Sequence, residues 1–226
     1  MDSEVTILGL WYCDPSLEGM DTREKFRGDV WSISDWYRCY PQLPTIQRLY
    51  ELHGAGFSEE AIAKNLDHGY FPGDWKKEML NSESLHVWDD NGWQRVLGHP
   101  QTVKIDFDSL LGKYGEKVLS STGSTMVCEA IDCGYECINI HGFSLCDDIY
   151  GVEAWGMLNA IEIAESKGVT VNAYHRDKWI NQTNRPDCVK PDSYIRRTMK
   201  IQEEYDSGKP IEEIYREEKL RFKGVL

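Results

Sequence analysis

The chain has 226 residues, 41% of them hydrophobic, and its 25 Lys and Arg stand against 38 Asp and Glu for a formal net charge of -13 at pH 7. That length can bury a full core and fits one largish domain better than two small ones. The acidic field repels polyanions, which disfavours nucleic acid as a partner unless the basic residues segregate, and no run approaches the roughly 20 apolar residues of a membrane-crossing helix.

The N-terminus "MDSEVTILGL" is acidic and leads straight into an apolar run, with no basic leader or cleavage site, so a cytoplasmic setting is expected. Seven cysteines without a C-x-x-C pair point to reduced thiols, and Cys128, Cys133 and Cys137 are expected in core elements, not in a metal cluster.

In chain order, "VTILGL" (5–10) is short, apolar and β-branched, as a buried strand opening onto the turn residues of "WYCDPSLEG" should be. "GDVWSISDWY" repeats the pattern around Val30, Trp31 and Ile33. "TIQRLYELHG" is a third strand or a helix ending at Gly54; as a strand it puts Glu51 and His53 on one face, as an acid–base pair. "FSEEAIAKNLDHG" reads as a helix with Ser58 as N-cap. Residues 70–104 read as an insertion with a strand near Leu85 to Trp88 and a hairpin turn at Asn91-Gly92.

Order returns at "IDFDSLLGKYG", where Asp106 or Asp108 can cap a helix, and "KVLS" is expected as a strand. Ser124 to Asp132 puts Met126, Val127, Ala130 and Ile131 on one helical face, "CINIHGF" is a strand, "GVEAWGMLNAIEIAESKG" an amphipathic helix, and "VTVNAY" a final strand with His175 at its end. Strand and helix alternating about every 30 residues predict a mostly parallel sheet wrapped by helices. Two charged amphipathic helices close the chain, the second opened by Pro210; they pack over the sheet or form a homodimer contact.

The turn "SSTGST" (120–125) stands where a strand is expected to enter a helix, at the edge where alternating folds hold ligands. Free N–H groups, the helix dipole, Gly123 and the hydroxyls of Ser120, Ser121, Thr122 and Ser124 suit a phosphate or ribose. The same residues equally describe a helix cap. The turn lacks the Gly-Lys-Ser/Thr of a Walker loop and the G-x-G-x-x-G of a dinucleotide fold. Two further strand ends point to the same edge: His141, Gly142 and Phe143 with the acidic pair Asp147 and Asp148, and Ser34 in "SDWY".

"VLSSTGSTMVCEAIDCGYECINIHGF" resembles the central segment of the bacterial sialyltransferase family that includes bifunctional lipooligosaccharide enzymes. "VTILGLWYCDPSL", "DVWSISDWY" and "GVEAWGMLNAIEIAESKGVTVNAY" resemble its first strand, second strand and last helix and strand, so the likeness spans about two thirds of the chain. The pattern is also similar to pterin pyrophosphokinase-like proteins. It is closer still to Rossmann-like proteins of tailed phages, through "VWSIS", "LYELH" and "SSTGSTMVCEAI".

These resemblances imply an α/β, Rossmann-like fold with helices on both faces: residues 1–190 as the nucleotide-binding domain and 191–226 as a helical C-terminal extension. The sialyltransferase likeness implies a glycosyltransferase without a metal cofactor, with Ser121, Thr122, Gly123 and Ser124 against the nucleotide of an activated sugar and Ser34 near the same ligand. This chain has Ser34 where that family has Asn, and Asp147 and Asp148 where the family has its basic His, so Asp147, Asp148 or His141 is left as the base. Two other readings stand beside it: a phage nucleotide-binding sponge or regulator without turnover, and a nucleotidyl or pyrophosphoryl transferase needing Mg²⁺ on carboxylates such as Asp147 and Asp148.

Overall fold

The computed structural model describes residues 3–10, 17–20, 23–33, 36–64, 74–145, 151–184 and 194–222. Strands β1 (Glu4–Leu8), β2 (Asp29–Ile33), β3 (Ile46–Glu51), β4 (Ser82–Val87), β5 (Thr102–Lys104), β6 (Cys137–His141) and β7 (Thr170–Ala173) form one sheet in the order β5-β4-β3-β2-β1-β6-β7. Every pairing is parallel, and the register sets Ile7 of β1 beside Trp31 on one side and Ile140 on the other.

The chain winds outward from β1 to β5, then crosses back to lay β6 on the free side of β1. Right-handed crossovers put the helices of the two halves on opposite faces once the direction of winding reverses. Helices α1 (Trp36–Cys39), α2 (Ala55–Ala63), α3 (Trp75–Met79) and α4 (Asp90–Val96) accordingly bury Trp36, Tyr40, Met79 and Trp93 against Leu8, Val30, Leu49 and Leu85. On the other face, α5 (Phe107–Tyr114), α6 (Thr122–Asp132) and α7 (Gly151–Ser166) bury Met126, Val127, Met157 and Ile161 against Val5, Ile7, Ile138 and Ile140. Period-two alternation with both faces covered explains why these strands read as near-continuous apolar runs.

Helix α8 (Arg176–Thr183) packs on α7, and Trp179 donates its Nε1–H to the carbonyl of Phe143 at 3.2 Å. The C-terminal helices α9 (Tyr194–Asp206) and α10 (Ile211–Phe222) pack on α2: Phe57 stacks on Tyr215 with ring centroids 5.4 Å apart, beside Ala61, Ile211 and Ile214. The Tyr205 hydroxyl reaches the Glu60 carboxylate at 2.8 Å. The fold is thus α/β and Rossmann-like with a helical C-terminal extension. Among the described residues, no helix is long and apolar enough to cross a membrane.

Four local expectations are corrected. "KVLS" is a turn, closed by the Ser120 N–H on the Val118 carbonyl at 2.9 Å; the place beside β1 belongs to β6. Asn91-Gly92 is no hairpin but lies inside α4, because Asp89 caps that helix through the Gly92 N–H at 2.9 Å and parallel β4 and β5 need a crossover between them. Helix α2 begins at Ala55, so Ser58 is a buried interior residue and not its N-cap. Cys128 is buried in the core as expected, whereas Cys133 is exposed. The ambiguous run around Leu49 is strand β3.

Two glycines in helices show how packing decides the sign of a substitution. A Cβ at Gly156 of α7 would overlap Ser120 Oγ and come within 2.6 Å of the Val118 carbonyl oxygen, whereas one at Gly112 of α5 would meet nothing within 4 Å. Gly156→Ala should destabilise the fold by about 1–3 kcal/mol through overpacking. Gly112→Ala should instead stabilise it by about 0.4–1 kcal/mol by restricting the unfolded chain. Urea unfolding of both variants checks the opposite signs.

Candidate functional site

Helix α6 runs back toward the amino ends of the strands, so its first turn lies at their carboxyl edge. Ser121, extended at φ -154° and ψ 163°, is its N-cap. The Ser121 Oγ accepts the Ser124 N–H at 3.0 Å and the Ser124 Oγ accepts the Ser121 N–H at 3.1 Å, a capping box with Ser in place of the usual Glu or Gln. The Thr125 hydroxyl and the Ser124 hydroxyl also donate to the Ser121 carbonyl, each at 3.0 Å. Ser120, Ser121 and Ser124 are buried, and Thr122 is the half-buried member of the turn. The hydroxyl cluster therefore satisfies the helix end first.

Gly123 has a packing reason to be glycine: a Cβ there would come within 2.5 Å of Met157 Cε and 2.8 Å of the Phe143 ring. That contact ties the start of α6 to the end of β6. At the same edge the Gly9 N–H donates to the His141 carbonyl at 2.9 Å, and Tyr40 donates its hydroxyl to the Gly9 carbonyl at 2.6 Å. A side chain at Gly9 would overlap the Gly142 backbone, and Gly142 holds φ at +72° against the Tyr40 hydroxyl. The chain segments after β1 and β6 are thus in direct backbone contact.

His141 is buried at the end of β6, its ring stacked on Tyr174 with centroids 4.4 Å apart and planes 26° from parallel, and Tyr174 is exposed. His175 is buried after β7, its carbonyl accepting the Trp179 N–H at 3.1 Å. The fold thus brings His141, Gly142, Phe143 and the Ser120–Ser124 turn to one edge. Ser34, Asp147 and Asp148 lie outside the described residues.

The Glu51–His53 pair does form. His53 Nδ1 is 2.6 Å from the Glu51 carboxylate, which is buried, while the imidazole is 40% exposed. The Trp93 Nε1–H fixes the His53 carbonyl at 2.9 Å.

Two features were not foreseen from sequence. Beneath α6, the buried Tyr50 hydroxyl donates to Glu129 at 2.5 Å and its ring packs on His86 at 4.9 Å, while Arg48 lies 4.2 Å over the Trp31 ring. Burial first, and then the Glu129 charge, push the Tyr50 phenol well above its ordinary pKa, so it stays a donor. The second is a cleft of about 870 Å³ beyond the ends of β3, β4 and β5, floored by Leu52, Trp88 and Ile105 and walled by Met199, Gln202 and Tyr205 of α9. Desolvation and then Glu60 push the Tyr205 phenol up to about 12, so it too remains protonated at neutral pH. The signal for the cleft was present in "WDDNGW" and "IDFD", two Asp-rich segments directly after strands, but each also reads as a turn or a cap.

Among the described residues no group of three or more His, Cys, Asp or Glu is arranged to hold a metal ion. No family model matches the sequence, and no curated protein does. Among solved structures, the chain is similar to the sialyltransferase CstII from Campylobacter jejuni in complex with the substrate analogue cytidine-5′-monophosphate, with TM-score 0.48 and 16% identity over 76% of this chain and 78% of that one. It is similar also to an alpha-2,3-sialyltransferase from Campylobacter jejuni in apo form, with TM-score 0.48 and 16% identity over 84% and 83%.

Ser121→Ala leaves the Ser124 N–H without its acceptor and should cost about 1 kcal/mol of stability, the usual size of an N-cap loss. Thr122→Ala removes a hydroxyl that takes no part in the capping box and should leave the melting temperature nearly unchanged. Thermal denaturation of the two variants side by side tests this division within one turn.

Proposed function

We propose that the chain binds a nucleotide-activated sugar at the carboxyl edge of the sheet, beyond β1 and β6, and transfers the sugar to a hydroxyl acceptor. The observation that carries this reading is the reversal of winding between β1 and β6. Open parallel sheets bind their ligands beyond the strand ends at such a point.

The first turn of α6 supports the donor phosphate in this reading. The capping box uses the hydroxyls of Ser121 and Ser124, so the phosphate meets the N–H groups of Thr122 and Gly123, the Thr122 hydroxyl and the positive end of the helix. Ser120, Ser121 and Ser124 then contribute by fixing the turn, while Ser34, Gly142 and Phe143 border the ligand. In the transfer, the acceptor oxygen bonds to the anomeric carbon as the bond from that carbon to the phosphate oxygen breaks. The electron pair leaves with the nucleotide, stabilised by the same donors, and the acceptor proton passes to a base. His141, Asp147 and Asp148 are the residues proposed for that base, and Tyr174 holds the imidazole by stacking.

The internal satisfaction of Ser121 and Ser124 favours a second reading, a protein that binds the nucleotide without turning it over. Binding and turnover separate the two.

Titration of the purified chain, in EDTA, with nucleoside mono- and diphosphates and nucleotide sugars tests the proposal. Metal-independent binding is expected, weakened about tenfold in Thr122→Ala, the loss of one good hydrogen bond to a charged group. Gly123→Val is a poor substitute, because the Phe143 and Met157 contacts make it a folding variant. His141→Asn should retain nucleotide binding and lose release of the nucleotide if His141 is the base. Absence of binding to every nucleotide would overturn the reading, and binding that needs Mg²⁺ would favour nucleotidyl or pyrophosphoryl transfer.

A further inference from the structure

We infer that the cleft beyond β3, β4 and β5 is a binding site for a neutral oligosaccharide, separate from the nucleotide edge. Its role as the acceptor site rests on the transfer reading; its capacity to bind a saccharide does not.

The chemistry of the lining carries the inference. Trp88, Phe107 and Tyr205 offer aromatic surface of the kind that packs on the C–H faces of sugar rings, while carboxylates and an amide offer acceptors and donors to hydroxyl groups. Much of the acidic lining is already committed. Asp89 accepts the N–H of Ala55 at 3.4 Å and that of Gly92 at 2.9 Å, Asp106 accepts the Ser109 N–H at 3.0 Å, and Asp90 pairs with Lys104 at 3.7 Å. The side chains of Asn91, Arg95 and Asp108 line the cleft and make no hydrogen bond or ion pair among the described residues, which leaves donors and acceptors for the hydroxyl groups of a sugar.

Charge opposes an anionic occupant. Five aspartates line the cleft against Arg95 and Lys104, so a phosphate or nucleotide would enter an adverse field. The same field would admit a cation, and spermidine is included in the test for that reason. The volume of about 870 Å³ accommodates a short oligosaccharide. Two strands lie between β4, at the centre of the cleft, and β1, so at about 4.8 Å per strand the cleft centre is about 14 Å from the nucleotide edge. That span suits an acceptor whose remote sugar units hold it while its terminal hydroxyl reaches the donor.

The test uses the full chain without nucleotide: a printed array of neutral glycans, then calorimetric titration of the best binder, with spermidine and inorganic phosphate as controls. A neutral oligosaccharide should bind. Asp108→Asn, on the surface of α5, and Asn91→Ala, on the surface of α4, should each weaken it about tenfold, the size of one lost hydrogen bond at a binding site. Melting temperatures measured alongside should stay unchanged in Asp108→Asn. No binding to any neutral glycan, equal affinity in both variants, or preferential binding of spermidine would each overturn the inference. Because these titrations contain no nucleotide, a failure of the transferase reading leaves their outcome intact, and their failure leaves nucleotide binding intact.

Discussion

The contact between the chain segments after β1 and β6 is the constraint on which the rest of the structure depends. Gly9 meets Gly142 backbone to backbone, and no Cβ fits between them; the Tyr40 hydroxyl closes the joint by donating to Gly9. This joint is where the outward winding starts and where the returning chain re-enters the sheet. The helices of the first half consequently cover one face and those of the second half the other, giving two separate cores around one sheet. The same reversal leaves a gap in the row of crossovers, and that gap defines the proposed nucleotide edge.

The first turn of α6 illustrates how one short sequence serves two demands. A helix end leaves several N–H groups without partners, and here Ser121 and Ser124 satisfy each other as well as the backbone. Gly123, read from sequence as room for a ligand, is in fact room for Phe143 and Met157. What the turn can offer a ligand is therefore mostly backbone and dipole, in a position fixed by protein packing. Such an arrangement is rigid before the ligand arrives, and a preorganised donor set costs no reorganisation when charge develops on a leaving phosphate.

The parallel α/β fold was legible because its strands are buried on both faces and its helices are punctuated by glycines such as Gly134 and Gly168, each at positive φ. The pairing of Glu51 with His53 was also legible, since it follows from alternation along one strand. Other features depend on what lies beside them in space. "KVLS" has the composition of a strand but no free place in the sheet, and Asn91-Gly92 has the composition of a hairpin but is recruited into a helix by Asp89. The cleft is built from three loops and a helix about a hundred residues further on, a conjunction that no local pattern carries. Ser34, Asp147 and Asp148 were named from sequence on the strength of a resemblance, and their part in the chemistry is a proposal.

On this account the carboxyl edge is divided by charge: backbone donors and a helix dipole near β1 and β6 for an anionic donor, aspartates and aromatic rings near β3, β4 and β5 for a neutral acceptor. The most direct test of that division is release of free nucleotide from nucleotide sugars, measured with and without a neutral oligosaccharide in EDTA. Slow release alone and faster release with the saccharide, accompanied by a new glycosidic product, are expected. Release that the saccharide leaves unchanged, or no release from any donor that binds, would contradict sugar transfer and leave a nucleotide-binding protein.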